Sequence, residues 1–187
     1  TDKRVINFAK INLISKKIDA EKGAGPNQKK KYRVRGYPTI LFLDNQGIEI
    51  DRIVGYRPPE EFLNEMNRIK NGENTISEIL GRYKQNKHHY PTQIDLANKY
   101  ATLNLPDSAK NILDDIYHKQ NKKSQLDFSV AFRISKLYYS IGSLDNSIDL
   151  LDQIVDSGID SSDSGYFYGL LYKAKRDNDI DNLLQYT

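Results

Sequence analysis

The sequence predicts an α/β domain followed by an all-α domain, and three observations carry that prediction. Short β-type runs alternate with helical patterns over residues 1–70, whereas residues 75–187 hold apolar stripes at i, i+3, i+4 and i+7 and no convincing strand. Residues 1–70 carry 15 Lys and Arg against 9 Asp and Glu, net +6, and the remainder carries 13 against 16, net −3. Between them Asn71-Gly72-Glu73-Asn74 interrupts both patterns. Residues 71–74 therefore read as a linker between a domain at 1–70 and a helical domain at 75–187.

In the first domain, Val5, Ile6, Phe8, Ala9 and Ile11 fit the end of a helix. Leu13 to Ala20 predict a strand with Ile14, Ile18 and Ala20 on one face and Asp19 near its end. Gly23-Ala24-Gly25-Pro26 breaks the chain, and Pro26 suits the first turn of a helix running to about Tyr32. Thr39-Ile40-Leu41-Phe42-Leu43 is a continuous apolar run, which predicts a central strand buried on both faces. Asp44-Asn45-Gln46-Gly47 supplies a turn into Ile48 to Val54, giving an antiparallel hairpin. Pro58-Pro59-Glu60-Glu61 then starts a helix whose apolar side is Phe62, Leu63, Met66 and Ile69.

The second domain reads as about six helices, with breaks at His88–Pro91, Asn104–Asp107, Gln120–Gln125, Gly142–Asp145 and Ser157–Ser164. It also repeats itself. An offset of 38 superposes Tyr100 on Tyr138, Asn104 on Gly142, Ala109 on Ser147, Leu113 on Leu151 and Ile116 on Ile154. Upstream of each Tyr stands a large-small pair, Leu96-Ala97 and Ile134-Ser135. Tyr168-Gly169 and Tyr172 begin a weaker third copy, with Asp181 where a small residue is expected. A small residue at 109 or 147 lets two helices approach closely while Tyr, Leu and Ile fill the space between them.

Composition excludes several function classes for these residues. With 38% hydrophobic and 28% charged residues and a net charge of +3, the chain is not that of a wholly disordered protein. No apolar run approaches the ~18 residues of a membrane span. There is no Cys, so these residues alone offer no thiol chemistry and no thiolate metal site, and no Gly-rich phosphate loop is present. His88-His89 lacks a third ligand at useful spacing, and Asp160–Ser164 lacks EF-hand spacing and suits a helix cap, so neither a metal nor another cofactor is expected. The basic run Lys29-Lys30-Lys31-Tyr32-Arg33-Val34-Arg35 suits a helix C-terminus whose Tyr32 and Val34 pack inward. It has no base-stacking platform beside it, so no nucleic-acid partner is expected. The chain opens Thr1-Asp2-Lys3-Arg4 without an initiator Met or signal peptide, which predicts a fragment or processed form.

The element order of the first domain carries a family resemblance. Val34-Arg35-Gly36-Tyr37-Pro38-Thr39 leads into an apolar strand, an Asp-x-x-Gly turn and a second strand ending Val54-Gly55-Tyr56. Over residues 1–70 this resembles the C-terminal two thirds of a thioredoxin-fold domain. Asp19-Ala20-Glu21-Lys22-Gly23 is most similar to the extracytoplasmic thioredoxin-like proteins and to the C-terminal domain of the membrane disulfide-relay reductase, which implies a periplasmic or otherwise extracytoplasmic location. The resemblance implies that Pro38 is the cis-proline facing a redox dithiol. It also implies that Gly36, Tyr37, Pro38 and Thr39 form the substrate-binding edge, with Tyr37 offering backbone groups to an extended client.

The family's Cys-x-x-Cys, its first strand and most of its first helix have no counterpart in these residues. Two explanations stay open: a dithiol upstream of Thr1, making this part of a thiol-disulfide oxidoreductase, or a lineage that kept the fold for binding alone. Without that strand and helix the sheet is expected to have an uncovered edge and the domain to be destabilised. In the second domain, the spacing of Tyr, Asn or Gly, a small residue, Leu and Ile resembles the tetratricopeptide repeat. That implies a concave surface for protein or peptide clients, with a redox partner protein as a further expected contact.

Overall fold

The computed structural model describes residues 2–121, 127–157 and 169. It divides into Thr1–Gln85 with Thr102–Asn104, and Asn86–Ala101 with Leu105–Thr187.

In the first unit, Asp2 caps helix α1 (Lys3–Asn12) by accepting from the Arg4 amide at 2.8 Å. Helix α2 (Gly25–Lys31) begins with Pro26 in its first turn. Its close packing demands Gly25, because a Cβ there would overlap the Asp19 carbonyl. Strands β1 (Thr39–Leu43) and β2 (Glu49–Val54) form an antiparallel hairpin. Asp44 builds its turn, with Oδ1 accepting from the amides of Gln46 at 2.9 Å and Ile48 at 2.8 Å. Phe42 pairs with Asp51 and Leu43 with Glu49, so Ile50 forms a bulge.

Helix α3 (Pro59–Lys70) follows, with Glu60 and Glu61 at its positive end. Phe62, Leu63, Met66 and Ile69 of α3 and Val5 and Phe8 of α1 close over Ile40, Phe42, Ile50 and Ile53 of the hairpin. Leu13 joins the same core.

Two expectations for this unit are corrected. Leu13 to Ala20 is not a strand. Backbone hydrogen bonds make a strand only when a neighbour supplies them, and among the described residues β1 and β2 pair only with each other. Leu13 faces the core, whereas Ile11 and Ile14 are fully or largely exposed. Nor is β1 central: Phe42 is its one buried residue, and Leu43 is 40% exposed, because the edge away from β2 is unpaired among the described residues.

The boundary expected at 71–74 also shifts. Asn71-Gly72-Glu73 ends α3 as a C-cap, with Gly72 at φ 75°, its amide on the Ile69 carbonyl and the Glu73 amide on that of Arg68. Helix α4 (Ile76–Gln85) then packs on β2, so it belongs with the first unit, which ends at Gln85.

The second unit contains α5 (Tyr90–Thr102), α6 (Pro106–Asn121), α7 (Phe128–Ser140) and α8 (Leu144–Asp156). The offset of 38 has a backbone counterpart. Asn104 and Gly142 adopt φ 54° and 82°, and the amides of Leu105 and Ser143 bond the carbonyls of Tyr100 and Tyr138, both at 2.9 Å. Both helix pairs thus turn through the same left-handed cap, for which Gly and Asn are the favoured residues. The matched positions Ala109 and Ser147, Leu113 and Leu151, and Ile116 and Ile154 are all buried, as are Ala97 and Ser135. One core runs from Ile94 of α5 through Leu113, Ile134 and Tyr138 to Leu151 and Ile154. Of the third copy only Gly169 is among the described residues, packed so closely on Val155 and Leu151 that no Cβ fits. Tyr168, Tyr172, Asp181, the break at 122–125 and the segment Asp160–Ser164 lie outside the described residues.

Candidate functional site

The site residues expected from the sequence stand together at the start of β1. The Thr39 hydroxyl donates to the Gly36 carbonyl at 2.7 Å, closing the loop on itself. The Tyr37–Pro38 peptide bond is cis. The Gly55 amide donates to the Pro38 carbonyl at 2.8 Å, and Gly55 has φ 79°, a conformation that favours glycine. These bonds fix the loop from both sides while leaving Tyr37 outside the ladder, which begins at Thr39. Neither the N–H nor the C=O of Tyr37 has a hydrogen-bond partner among the described residues. The Tyr37 side chain is 54% exposed, with the Lys29 ammonium 5.4 Å from its ring centroid. An accessible backbone donor and acceptor at the head of an unpaired strand edge can accept one more strand.

Buried charge holds this edge in place. Asp51 and Arg52 are adjacent in β2, so their side chains take opposite faces of the sheet. Asp51 receives Arg68 from α3 at 2.9 Å, and Arg68 also holds Glu65 and the Glu73 carbonyl. Burial works against the Arg68 charge, but hydrogen bonds with Glu65 and Asp51 outweigh it and raise its pKa above the ordinary value.

On the other face the fully buried Arg52 side chain donates to Glu49 through Nε at 2.5 Å and Nη2 at 2.7 Å. Its Nη2 also reaches the Tyr32 carbonyl at 2.7 Å, and the Tyr32 hydroxyl donates to the Gly47 carbonyl at 2.9 Å. Tyr32 therefore fastens the end of α2 to both the turn and the second strand of the hairpin. The Arg52 Nη1 is buried without a partner, a cost the pair and the Tyr32 bond must offset. Sequence reading did not find this network. Its signal was there in Glu49, Asp51 and Arg52, charges interleaved with Ile50 and Ile53 in a short strand.

The histidines serve the helices. His89 Nδ1 lies 2.8 Å from the Thr92 hydroxyl in the first turn of α5, and His88 Nδ1 lies 3.3 Å from Lys119. No cluster of metal-ligating side chains occurs among the described residues, and no described helix is long and apolar enough to cross a membrane. In the helical unit, Tyr138 donates to Asp114 at 2.7 Å; burial first, and that bond second, push its phenol well above the ordinary pKa.

Comparison with known proteins adds one match. Residues 6–70 match the family model described as a thioredoxin-like domain. No curated protein matches the chain, and no solved structure does. Most of α1, all of α2, the hairpin and α3, and the Tyr37–Pro38 loop fall inside that match, so these residues are similar to a thioredoxin-like domain.

Proposed function

We propose that the chain is the client-facing part of a thioredoxin-like thiol-disulfide oxidoreductase whose dithiol lies on a segment upstream of Thr1. The α5–α8 helices are tetratricopeptide-like and recruit or orient protein clients. The observation that carries the reading is the open edge at Tyr37. Its free backbone pair heads a strand whose edge away from β2 is unpaired among the described residues, where an extended client can lie alongside the loop. The exposed Ile11 and Ile14 beside core-facing Leu13 support a further strand and helix covering this side of the domain. The likeness of Asp19–Gly23 to extracytoplasmic relatives supports an exported location. Matched small residues at the helix contacts, Ala97 with Ser135 and Ala109 with Ser147, support the repeat assignment.

A second reading has its own observation. Strand addition at Tyr37 needs no thiol, and these 187 residues contain none, so the same edge serves a redox-inactive binding scaffold. The test is to read the coding sequence upstream of Thr1, express the extended protein, and assay turnover of a disulfide-bonded peptide. The oxidoreductase reading expects a Cys-x-x-Cys and measurable reduction. Tyr37→Pro, which deletes the free amide, should cut turnover by up to about tenfold, corresponding to loss of roughly one hydrogen bond, while Tyr37→Ala retains most of it. An extended protein with no thiols that still binds the peptide overturns the oxidoreductase reading in favour of the scaffold.

A further inference from the structure

We propose that the Tyr37 edge selects extended peptides with acidic side chains; this rests on the client-binding reading above and names its substrate class. Five cations occupy seven consecutive positions, Lys29, Lys30, Lys31, Arg33 and Arg35 around Tyr32 and Val34. Lys31 lies over the Tyr32 ring, and the shared placement of the other four follows from how α2 ends. Arg33 takes φ 52°, the Arg33 amide bonds the Lys30 carbonyl at 3.2 Å and the Val34 amide bonds that of Lys29 at 3.0 Å. This left-handed cap folds the chain back over the last helical turn. Tyr32 is then buried and Val34 half-buried, and all five cations are exposed.

Lys29, Lys30, Arg33 and Arg35 line one shallow, open cleft with Ala20 and Glu21, and Lys29 also stands 5.4 Å from the Tyr37 ring centroid, which puts the cleft next to the loop. Arg35 lies two positions before Tyr37, and a segment pairing with Tyr37 passes it. Elsewhere in this unit Arg4, Lys22, Arg52, Arg68 and Arg82 each hold a carboxylate, and Lys3, Lys10, Lys16, Lys17, Arg57, Lys70 and Lys84 are dispersed along the chain, whereas residues 29–35 hold five cations and no acid. None of the five forms an ion pair among the described residues. The domain's excess of positive charge is thus concentrated beside the backbone groups that would receive a strand. An exposed ion pair contributes little alone, but several acting on one segment discriminate between partners and speed encounter. A polypeptide suits this surface better than a nucleic acid, because no aromatic side chain lines the cleft and Lys29 stands over the ring of neighbouring Tyr37.

The experiment measures fluorescence anisotropy on the full 187-residue chain. The probes are a labelled extended peptide with Glu at alternate positions, its counterpart with Gln in their place, and an oligothymidylate. We expect the Glu peptide to bind about tenfold tighter than the Gln peptide at low salt, with the gap narrowing as salt rises. Combining Lys30→Gln and Arg35→Gln, both exposed, should reduce the Glu peptide to the level of the Gln peptide. Circular dichroism checks that the variant is folded. Equal affinity for both peptides, lost in Tyr37→Pro, overturns the acidic preference while the client-binding edge stands. Binding of neither peptide overturns both. Tighter binding of the oligothymidylate, weakened by the same two substitutions, overturns the proposal in favour of a nucleic-acid surface.

Discussion

The α/β unit and the helical unit solve the same packing problem with different success. In α5–α8 each helix lies against a neighbour close in sequence, and the shared core from Ile94 to Ile154 is buried. In the first unit the two-stranded sheet is covered by α1 and α3, yet Ile11, Ile14, Leu43 and Val54 stay exposed. Its charged interior also depends on Arg52 with Glu49 and Arg68 with Asp51. A helix satisfies its own backbone and asks only for an apolar neighbour, whereas a strand needs another strand on each side. An open edge is therefore a property of sheets, and here it coincides with the candidate site.

The largest effect that sharpens this contrast comes from Arg52. Arg52→Met leaves Glu49 buried without its partner and removes the tie to the Tyr32 carbonyl, which should cost about 3–5 kcal/mol. Amide hydrogen exchange should show protection lost across β1 and β2 and retained in α5–α8. Equal loss in both units would show that they do not unfold separately.

A smaller effect of opposite sign is expected in the helical unit. Ser147 is buried with an unpartnered hydroxyl at the position matched by Ala109, so Ser147→Ala should raise stability by about 1 kcal/mol in urea denaturation. A loss instead would show that the hydroxyl is satisfied and that the two helix pairs are not interchangeable at this position.

The smallest effect is electrostatic. A hydrogen bond from Lys119, and a second from Gln93, hold Asp115 below the ordinary carboxylate pKa against a contribution from burial. A carboxyl with a lowered folded-state pKa stabilises fully above its unfolded value near ~3.9, and that contribution is lost as pH falls through the folded value. Asp115 is half exposed, so the amount is below about 1 kcal/mol. Asp115→Asn should flatten the acid limb of the stability profile by that amount; an unchanged limb would assign acid sensitivity to other carboxylates.

Much of the fold was legible because its causes are local. Pro26, the Asp44–Gly47 turn and Pro59-Glu60-Glu61 set the positions of α2, the hairpin and α3 without distant partners. Gly142 and Asn104 marked the two helix turns because only a left-handed cap residue repeats there at an offset of 38. Of the candidate site, the Gly36–Thr39 loop was legible as the lead into β1, since a loop before an apolar strand is written in consecutive residues. Leu13–Ala20 misled because its alternation describes what the segment would do beside a neighbour, and pairing is settled elsewhere in the molecule. The burial of Asp51 and Arg52 was equally out of reach, since a charge in a strand is solvated or paired according to what packs over it.

Sequence by itself therefore determined the order of elements, the helix pairs and the residues of the loop. These follow from backbone preferences and from apolar spacing within a few turns of chain. Tertiary structure alone decided that α4 belongs with the sheet, that among the described residues β1 has an open edge and Tyr37 an unpaired amide and carbonyl, and that four cations of residues 29–35 share one cleft near it. Each of those depends on groups far apart in the chain meeting, or failing to meet, in space.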